Sequence, residues 1–180
     1  MQGITAFCER CGSRMVSRVL EGKNRQVCAA CKSVRYPDIV AAVSAIVYDS
    51  RDRILLVKRA IEPGYGRWVI PGGYAESGEA LDRAAVREVQ EEAHLQAGDA
   101  VLSGVYSTAG THVATIVYAM PAEPYENVEA GSESLRARWF PFPEIPWEAV
   151  YFESTRQAIR DWLKRGSPTR TDQPRNCAPE

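Results

Sequence analysis

Residues 73–95 read GYAESGEALDRAAVREVQEEAHL, and the architecture of the chain turns on how this stretch is parsed. Leu81, Ala84, Ala85, Val89 and Ala93 recur at three- and four-residue steps. That periodicity predicts a helix over residues 77–93 with one apolar face and Ser77 as its N-cap. Glu88, Glu91 and Glu92 fall together on another face near the helix end. Like charges at that spacing repel by roughly 0.2–0.5 kcal/mol per pair, and they sit at the negative end of the helix dipole. Glu79–Arg83 and Arg87–Glu91 are well-oriented i,i+4 pairs, which would explain part of the charge as a solvated surface. Glu88 and Glu92 gain no cation from such a pairing. A hard divalent cation, Mg²⁺ or Mn²⁺, would relieve the crowding through carboxylate oxygens. Pro71-Gly72-Gly73 precedes the helix, and its glycines permit backbone geometries closed to other residues, so that the chain could approach a phosphate–metal cluster closely.

Outward from this segment, strands and helices alternate. Residues 39–48 (IVAAVSAIVY) are almost wholly apolar and predict a central strand. Residues 53–59 predict a second strand joined to it as a hairpin, and residues 68–70 a short strand entering the Pro-Gly-Gly turn. Further strands are expected over 101–107, 112–120 and 135–140. A closing helix over 152–165 would turn Ala158, Ile159, Trp162 and Leu163 inward and stop at Gly166. The pattern is an α/β sandwich with a mixed sheet and helices outside, over residues 38–166. The polar, proline-rich stretch 167–180, which contains Cys177, reads as a disordered tail.

A different module precedes it. Cys8-x-x-Cys11 and Cys28-x-x-Cys31 are separated by sixteen residues, the spacing of a four-thiolate zinc site. Between them residues 15–20 and 25–28 can form a hairpin around 21–24. A ribbon over residues 4–36 is too small to bury a core of its own, so a structural Zn²⁺ held by Cys8, Cys11, Cys28 and Cys31 would staple it. Four protein ligands leave no position for a substrate.

Composition limits the function classes. The chain has 180 residues, 45% hydrophobic and 25% charged, with a net charge of −1. No apolar run is long enough for a membrane span, and residues 1–10 lack the apolar stretch of a signal peptide, so the cytoplasm is the expected location. Residues 1–36 carry a balance of +5 and the remainder −6. A basic ribbon could attract nucleic acid, but four metal-bound thiolates leave a local −2 that nearby cations would offset. Long basic runs and aromatic platforms of a dedicated nucleic-acid binder are missing, so nucleic acid is not the expected partner.

Gly73, Glu79 and the run Arg87-Glu88-Val89-Gln90-Glu91-Glu92-Ala93-His94-Leu95 resemble the Nudix box: Gly, five residues, Glu, seven residues, then Arg-Glu-apolar-any-Glu-Glu-any-Gly-apolar. His94 stands where that family usually has the glycine that ends the helix, a left-handed position in which His is tolerated. The resemblance spans about residues 6–165. It implies a Nudix-type α/β/α sandwich and hydrolysis of phosphoric anhydride bonds. Glu88, Glu91 and Glu92 would hold Mg²⁺ or Mn²⁺ on a diphosphate, Arg87 would orient the carboxylates, and Glu79, with Gly73, would steady the loop–helix unit through Arg83 or Arg87. Water would attack phosphorus in line. The general base would be one of the glutamates, Glu91 or Glu92 in the box or Glu133 outside it, the last reading more readily as a surface carboxylate.

Flanking motifs narrow the substrate. Phe7-Cys8-x-x-Cys11-Gly12, Arg59-Ala60-Ile61-Glu62-Pro63, Glu133-Ser134-Leu135 and Glu144-Ile145-Pro146-Trp147 resemble the group that includes ADP-ribose and FAD pyrophosphatases. NADH pyrophosphatases carry a Ser-Gln-Pro-Trp-type signature after the box, which residues 96–110 (QAGDAVLSGVYSTAG) lack. The resemblance leaves three alternatives open: an NADH pyrophosphatase, a nucleoside-triphosphate hydrolase, and a zinc-ribbon nucleic-acid regulator that senses a nucleotide through a Nudix fold. A small-molecule nucleotide diphosphate is the expected partner, and a homodimer is what the family resemblance implies. Tyr65, Trp68, Tyr74 and Tyr106 could stack on a base or simply pack. His112 reads as structural.

Overall fold

The computed structural model describes residues 7–36, 38–123 and 128–166. The tail expected over 167–180, with Cys177, and the first residues of the ribbon lie outside that range. The chain divides into two compact units between Ile39 and Val40. Among the described residues no helix is long and apolar enough to cross a membrane.

The first unit is a three-stranded antiparallel sheet of β1 (Met15–Leu20), β2 (Lys23–Cys28) and β3 (Val34–Arg35). Pairing runs from Met15↔Cys28 to Leu20↔Lys23, so the hairpin turns through Glu21 and Gly22 alone. Both have positive φ, 50° and 74°, as a two-residue turn of type I′ demands. The turn is tighter than the spacing implied, because Glu-Gly is not among the dipeptides that announce it. The two CxxC segments are near-copies. Cys8 N–H donates to Ser13 O and Cys28 N–H to Ser33 O, each over 2.8 Å. Gly12 and Lys32, each following the second cysteine of its pair, both adopt positive φ.

The second unit is a seven-stranded mixed sheet. Its main path is β10 (Ser134–Pro141), β5 (Arg53–Arg59), β4 (Val40–Tyr48), β9 (Val113–Pro121), β8 (Val101–Ser107). β4 and β9 run parallel from Val40↔Val113 to Tyr48↔Pro121, and the other pairs are antiparallel. β4 is central, as its unbroken apolar run requires for a strand covered on both faces. Successive residues point to opposite sides. Val43, Ala45, Val47, Leu55 and Val57 pack with α1 (Leu81–Ala93) on one face. Ile46, Tyr48, Ile54 and Leu56 pack with α2 (Glu153–Arg165) on the other. The result is the helix–sheet–helix sandwich expected. Ala84, Ala85, Val89 and Ala93 are the buried apolar residues of α1, and Ala158, Ile159 and Trp162 those of α2.

Two expectations need correction. β4 and β5 form a hairpin only at its tip, where Tyr48 pairs with Ile54. Beyond that point the strands part, and β6 (Trp68–Val69) pairs with β5 while β7 (Gly72–Tyr74) pairs with β4. Gly72 and Gly73 are therefore strand residues, and neither has positive φ. Their need for glycine is close approach: a Cβ on Gly72 would overlap the Val43 carbonyl. Second, the helix begins at Leu81, with Ala80 as an N-cap that makes no side-chain bond. Ser77 is not the cap because Gly78, at φ 85°, ends a separate turn in which Glu79 N–H donates to Glu76 O.

α1 ends at His94, which is left-handed at φ 48°, ψ 32° and donates its N–H to Gln90 O. A non-glycine residue there costs about 1–2 kcal/mol, offset by the entropy a glycine would bring to the unfolded chain. We expect His94→Gly to raise stability by about 0.5–1 kcal/mol in chemical denaturation.

Candidate active site and cysteine cluster

In the first unit the ligand atoms of Cys8, Cys11, Cys28 and Cys31 all lie within 4.8 Å of one another. None is in a disulfide, with Sγ separations of 3.6 Å for Cys8–Cys31 and 3.5 Å for Cys11–Cys28. The Cys31 N–H points at Cys28 Sγ over 3.4 Å. The Ser13 backbone N–H leads in pulling the Cys11 thiol down to about 6. Cys31 also receives a lowering hydrogen bond from the Ser33 backbone, but the Cys11 and Cys28 thiols outweigh it and push Cys31 up to about 11. Sulfurs this close cannot all ionise unless a cation joins them. The donor set is soft, four-fold and closed.

In the second unit the site is built where β7 meets α1. Gly72 N–H donates to Glu92 Oε2 over 2.9 Å. A Cβ on Gly73 would stand 2.6 Å from Glu88 Oε1. The Gly-Gly pair thus lets strand backbone lie directly against two carboxylates. Glu88 and Glu92 are buried, at 9% and 8% exposure, whereas Glu91 is exposed. The shared face predicted for the three therefore has two inward members and one at its margin. The carboxylates do not form a closed cage: among the described residues, the cysteines are the only group of three or more with all ligand atoms within 4.8 Å.

Arg87 organises the loop and helix. Its Nε and Nη2 hold both Glu79 oxygens, at 3.0 and 3.1 Å. Its Nη1 donates to Glu88 Oε1 at 2.8 Å and Glu91 Oε2 at 3.0 Å, and Nη2 also reaches Tyr74 O. Glu88 thus has a cation that i,i+4 reasoning overlooked, because the long arginine side chain bends back over its own turn. Glu79 pairs with Arg87, not Arg83, and closes its turn by accepting Glu76 N–H.

Burial leads in raising the Glu92 carboxyl to about 7, against the Gly72 N–H that favours its charge. Burial likewise raises Glu88, against Arg87. The Arg87 hydrogen bond holds Glu79 below the ordinary range. Glu133 is exposed, yet near enough that its charge adds to the rise at both Glu88 and Glu92. The carboxylates crowd as their spacing implied, and desolvation compounds the repulsion.

Two neighbours were not read from the sequence. Gly131 N–H donates to the Glu92 carbonyl at 2.9 Å, and a Cβ on Gly131 would overlap the Glu91 carbonyl. Arg59 faces the same end of α1 and lowers the Glu92 carboxyl. Gly131-Ser132-Glu133, a glycine two residues before an acid, was the only local signal for the first. The aromatics separate. Tyr106 is buried, its OH 3.5 Å from Asp161, and Trp68 packs edge-on to Phe140, so neither is an open platform. Tyr65 and Tyr74 are exposed. His112 contributes its carbonyl to Val40 N–H.

Because Glu92 binds its proton more tightly folded than unfolded, its contribution to stability is full below pH 4.5 and is lost as pH rises through about 7. In metal-free protein, Glu92→Gln should therefore raise stability at pH 8, by on the order of 3 kcal/mol, and leave it unchanged near pH 4. Thermal unfolding at the two pH values measures this.

Comparison with known proteins agrees with the geometry. Residues 38–163 match the NUDIX domain, and residues 6–37 match a zinc-ribbon family described as Nudix N-terminal. The ADP-ribose pyrophosphatase of Methanocaldococcus jannaschii is 33% identical over 127 residues, covering 68% of this chain and 72% of that protein. The NAD-capped RNA hydrolase NudC of Salmonella heidelberg is 29% identical over 143 residues, 78% of this chain and 53% of its own length. The chain therefore spans about half of that relative. A crystal structure of a NUDIX hydrolase from Nitrosomonas europaea superposes with a TM-score of 0.78 at 30% identity, covering 89% of this chain and 91% of that one. Box, sheet topology, ribbon and relatives agree: the chain belongs to the Nudix hydrolase family, with that family's zinc-ribbon module at its N-terminus.

Proposed function

We propose that this chain hydrolyses the diphosphate of an ADP-linked nucleotide derivative, ADP-ribose or FAD, releasing a nucleoside monophosphate. The observation that carries this reading is the burial of Glu88 and Glu92 against Cβ-free backbone, where Glu92 has no ion-pair partner among the described residues. Hard carboxylate oxygens fit Mg²⁺ or Mn²⁺, and burial that pushes Glu92 up to about 7 is what a dication would offset. Glu88, Glu91 and Glu92 would hold it. When bound, such a cation neutralises phosphate charge and lowers the pKa of water. Arg87 sets the orientation of Glu88 and Glu91, and Glu79 fixes Arg87. The base is Glu92, Glu91 or Glu133; a carboxyl raised toward neutrality suits that work. Substrate choice rests on the flanking motifs and on the Methanocaldococcus jannaschii relative named an ADP-ribose pyrophosphatase.

An NAD-related substrate is the second reading, favoured by the likeness to NudC. A regulator without turnover fits poorly, since sensing alone gives no reason to keep three crowded carboxylates.

The four cysteines would hold a structural Zn²⁺, since thiolate fits that metal and the closed set admits no substrate. Stripping it with a chelator should unfold the ribbon, seen as lost amide protection over 7–36, while the sheet of the second unit persists. Persistence of the ribbon without metal would contradict the staple.

The protein should be incubated with Mg²⁺ or Mn²⁺ and FAD, ADP-ribose, NADH and nucleoside triphosphates, and monophosphate release measured. Turnover is expected on an ADP-linked member. Glu92→Gln should reduce it by about 10²–10⁴-fold with the fold intact. No turnover on any member, or full activity in the variant, would overturn the reading.

A further inference from the structure

The ribbon carries cations that its cysteines do not account for. Arg10, Arg14 and Lys32 flank the two knuckles in sequence and suffice in number to offset the −2 of four metal-bound thiolates. Arg18, Lys23 and Arg25 lie elsewhere. The Met15↔Cys28 pair marks the cysteine end of the hairpin, with Arg18↔Arg25 three residues further along and Leu20↔Lys23 five. At the rise of a strand those steps are about 10 Å and about 17 Å, beyond the roughly 8 Å over which exposed charges act on one another at physiological salt.

Strand alternation puts all three cations on one face. Arg18 and Leu20 share it with their partners Arg25 and Lys23. Tyr36, just past β3, joins them, because the Arg25 guanidinium lies 5.4 Å from the centre of the Tyr36 ring. Arg18 and Lys23 are exposed, Arg25 is half-buried, and Tyr36 is 65% exposed. Arg35 faces the other way, opposite Gln26, and is neutralised by Glu9 at 2.8 Å. Among the described residues no carboxylate pairs with Arg18, Lys23 or Arg25. Two arginines directly opposite each other destabilise a hairpin. A solvated face gains nothing from that arrangement, whereas a polyanion turns the repulsion into attraction.

Tyr36 selects among polyanions. Its ring meets Arg25 on one side and is open on the other, which suits it to stack on an unpaired base. A duplex keeps its bases paired, and an inorganic polyphosphate has none. No basic run announces this face in the sequence, because its cations sit on two strands and Tyr36 follows eleven residues after Arg25.

We propose that this face of the ribbon binds single-stranded nucleic acid, with Arg18, Lys23 and Arg25 contacting phosphates and Tyr36 stacking on a base. The carboxylates of α1 take no part in it.

Full-length, zinc-loaded wild type, the double variant Arg18→Ala with Arg25→Ala, Tyr36→Ala and Tyr36→Phe should be titrated into labelled oligouridine RNA. Fluorescence anisotropy between about 50 and 200 mM salt reads the affinity. The double variant should bind roughly 10- to 100-fold more weakly, and its slope of log affinity against log salt should flatten by about 1.4. Tyr36→Ala should lose about 5- to 150-fold with the salt slope unchanged, while Tyr36→Phe, which keeps the ring, binds as wild type does. Zinc content should be the same in all four, which shows the ribbon folded. No binding by wild type at the lowest salt overturns the proposal, as does equal affinity in wild type and the double variant. So does loss of binding only where zinc is lost, which would make these residues structural. Tighter binding of duplex RNA, or displacement by inorganic polyphosphate with Tyr36→Ala unimpaired, would make the face a general anion attractor and overturn it as well.

Discussion

The second unit depends on one close approach: the backbone of Gly72 and Gly73 lies against the carboxylates of Glu88 and Glu92. Nothing bulkier than hydrogen fits at Gly73 without displacing Glu88, and nothing bulkier at Gly72 without displacing β4. To deliver this backbone, β4 and β5 must separate below Tyr48 and admit β6 and β7 between them. To deliver the carboxylates, α1 must present Ala84, Ala85 and Val89 to the sheet, small side chains that let its axis come near. The split sheet and the alanine-rich helix face are thus two sides of one requirement.

The approach is electrostatically unfavourable for the protein alone. Arg87 mitigates it at Glu88 and Glu91 but not at Glu92, whose buried carboxyl accepts a single N–H and has the charge of Arg59 as its one stated cationic relief. Stability surrendered at a defined pair of groups is characteristic of a site shaped for a ligand. The cysteine cluster follows the same logic with softer atoms. Four sulfurs gathered within 4.8 Å repel when ionised and cohere around a cation.

Most of the architecture was legible because its signals are periodic. The helix face of α1, the apolar run of β4 and the paired cysteines are patterns of spacing, and spacing survives in sequence. The left-handed end at His94 followed from the position of one residue in a motif. What could not be read depends on contacts between distant segments. Gly72 and Gly73 are required by Val43 and Glu88, not by their own φ, so local reasoning put them in a turn. Ser77 has the right chemistry for a cap but lost the position to a turn closed by Glu79. Arg59 and Gly131 lie outside the box in sequence and are brought to it by residues 131–134, where Ala60 N–H donates to Glu133 O and Gly131 N–H to Glu92 O. The unequal burial of the three glutamates likewise follows from where β7 crosses α1, which helix periodicity alone cannot tell.

The central claim is that the carboxylates of α1 are held against Cβ-free backbone in order to bind a divalent cation. Anomalous diffraction from crystals soaked in Mn²⁺ tests it most directly. A manganese peak at coordination distance from Glu92 and Glu88, beside Gly72 and Gly73, is the predicted result. Saturating Mn²⁺ with no peak there, and Glu92 still bonded only to the Gly72 amide, would contradict it.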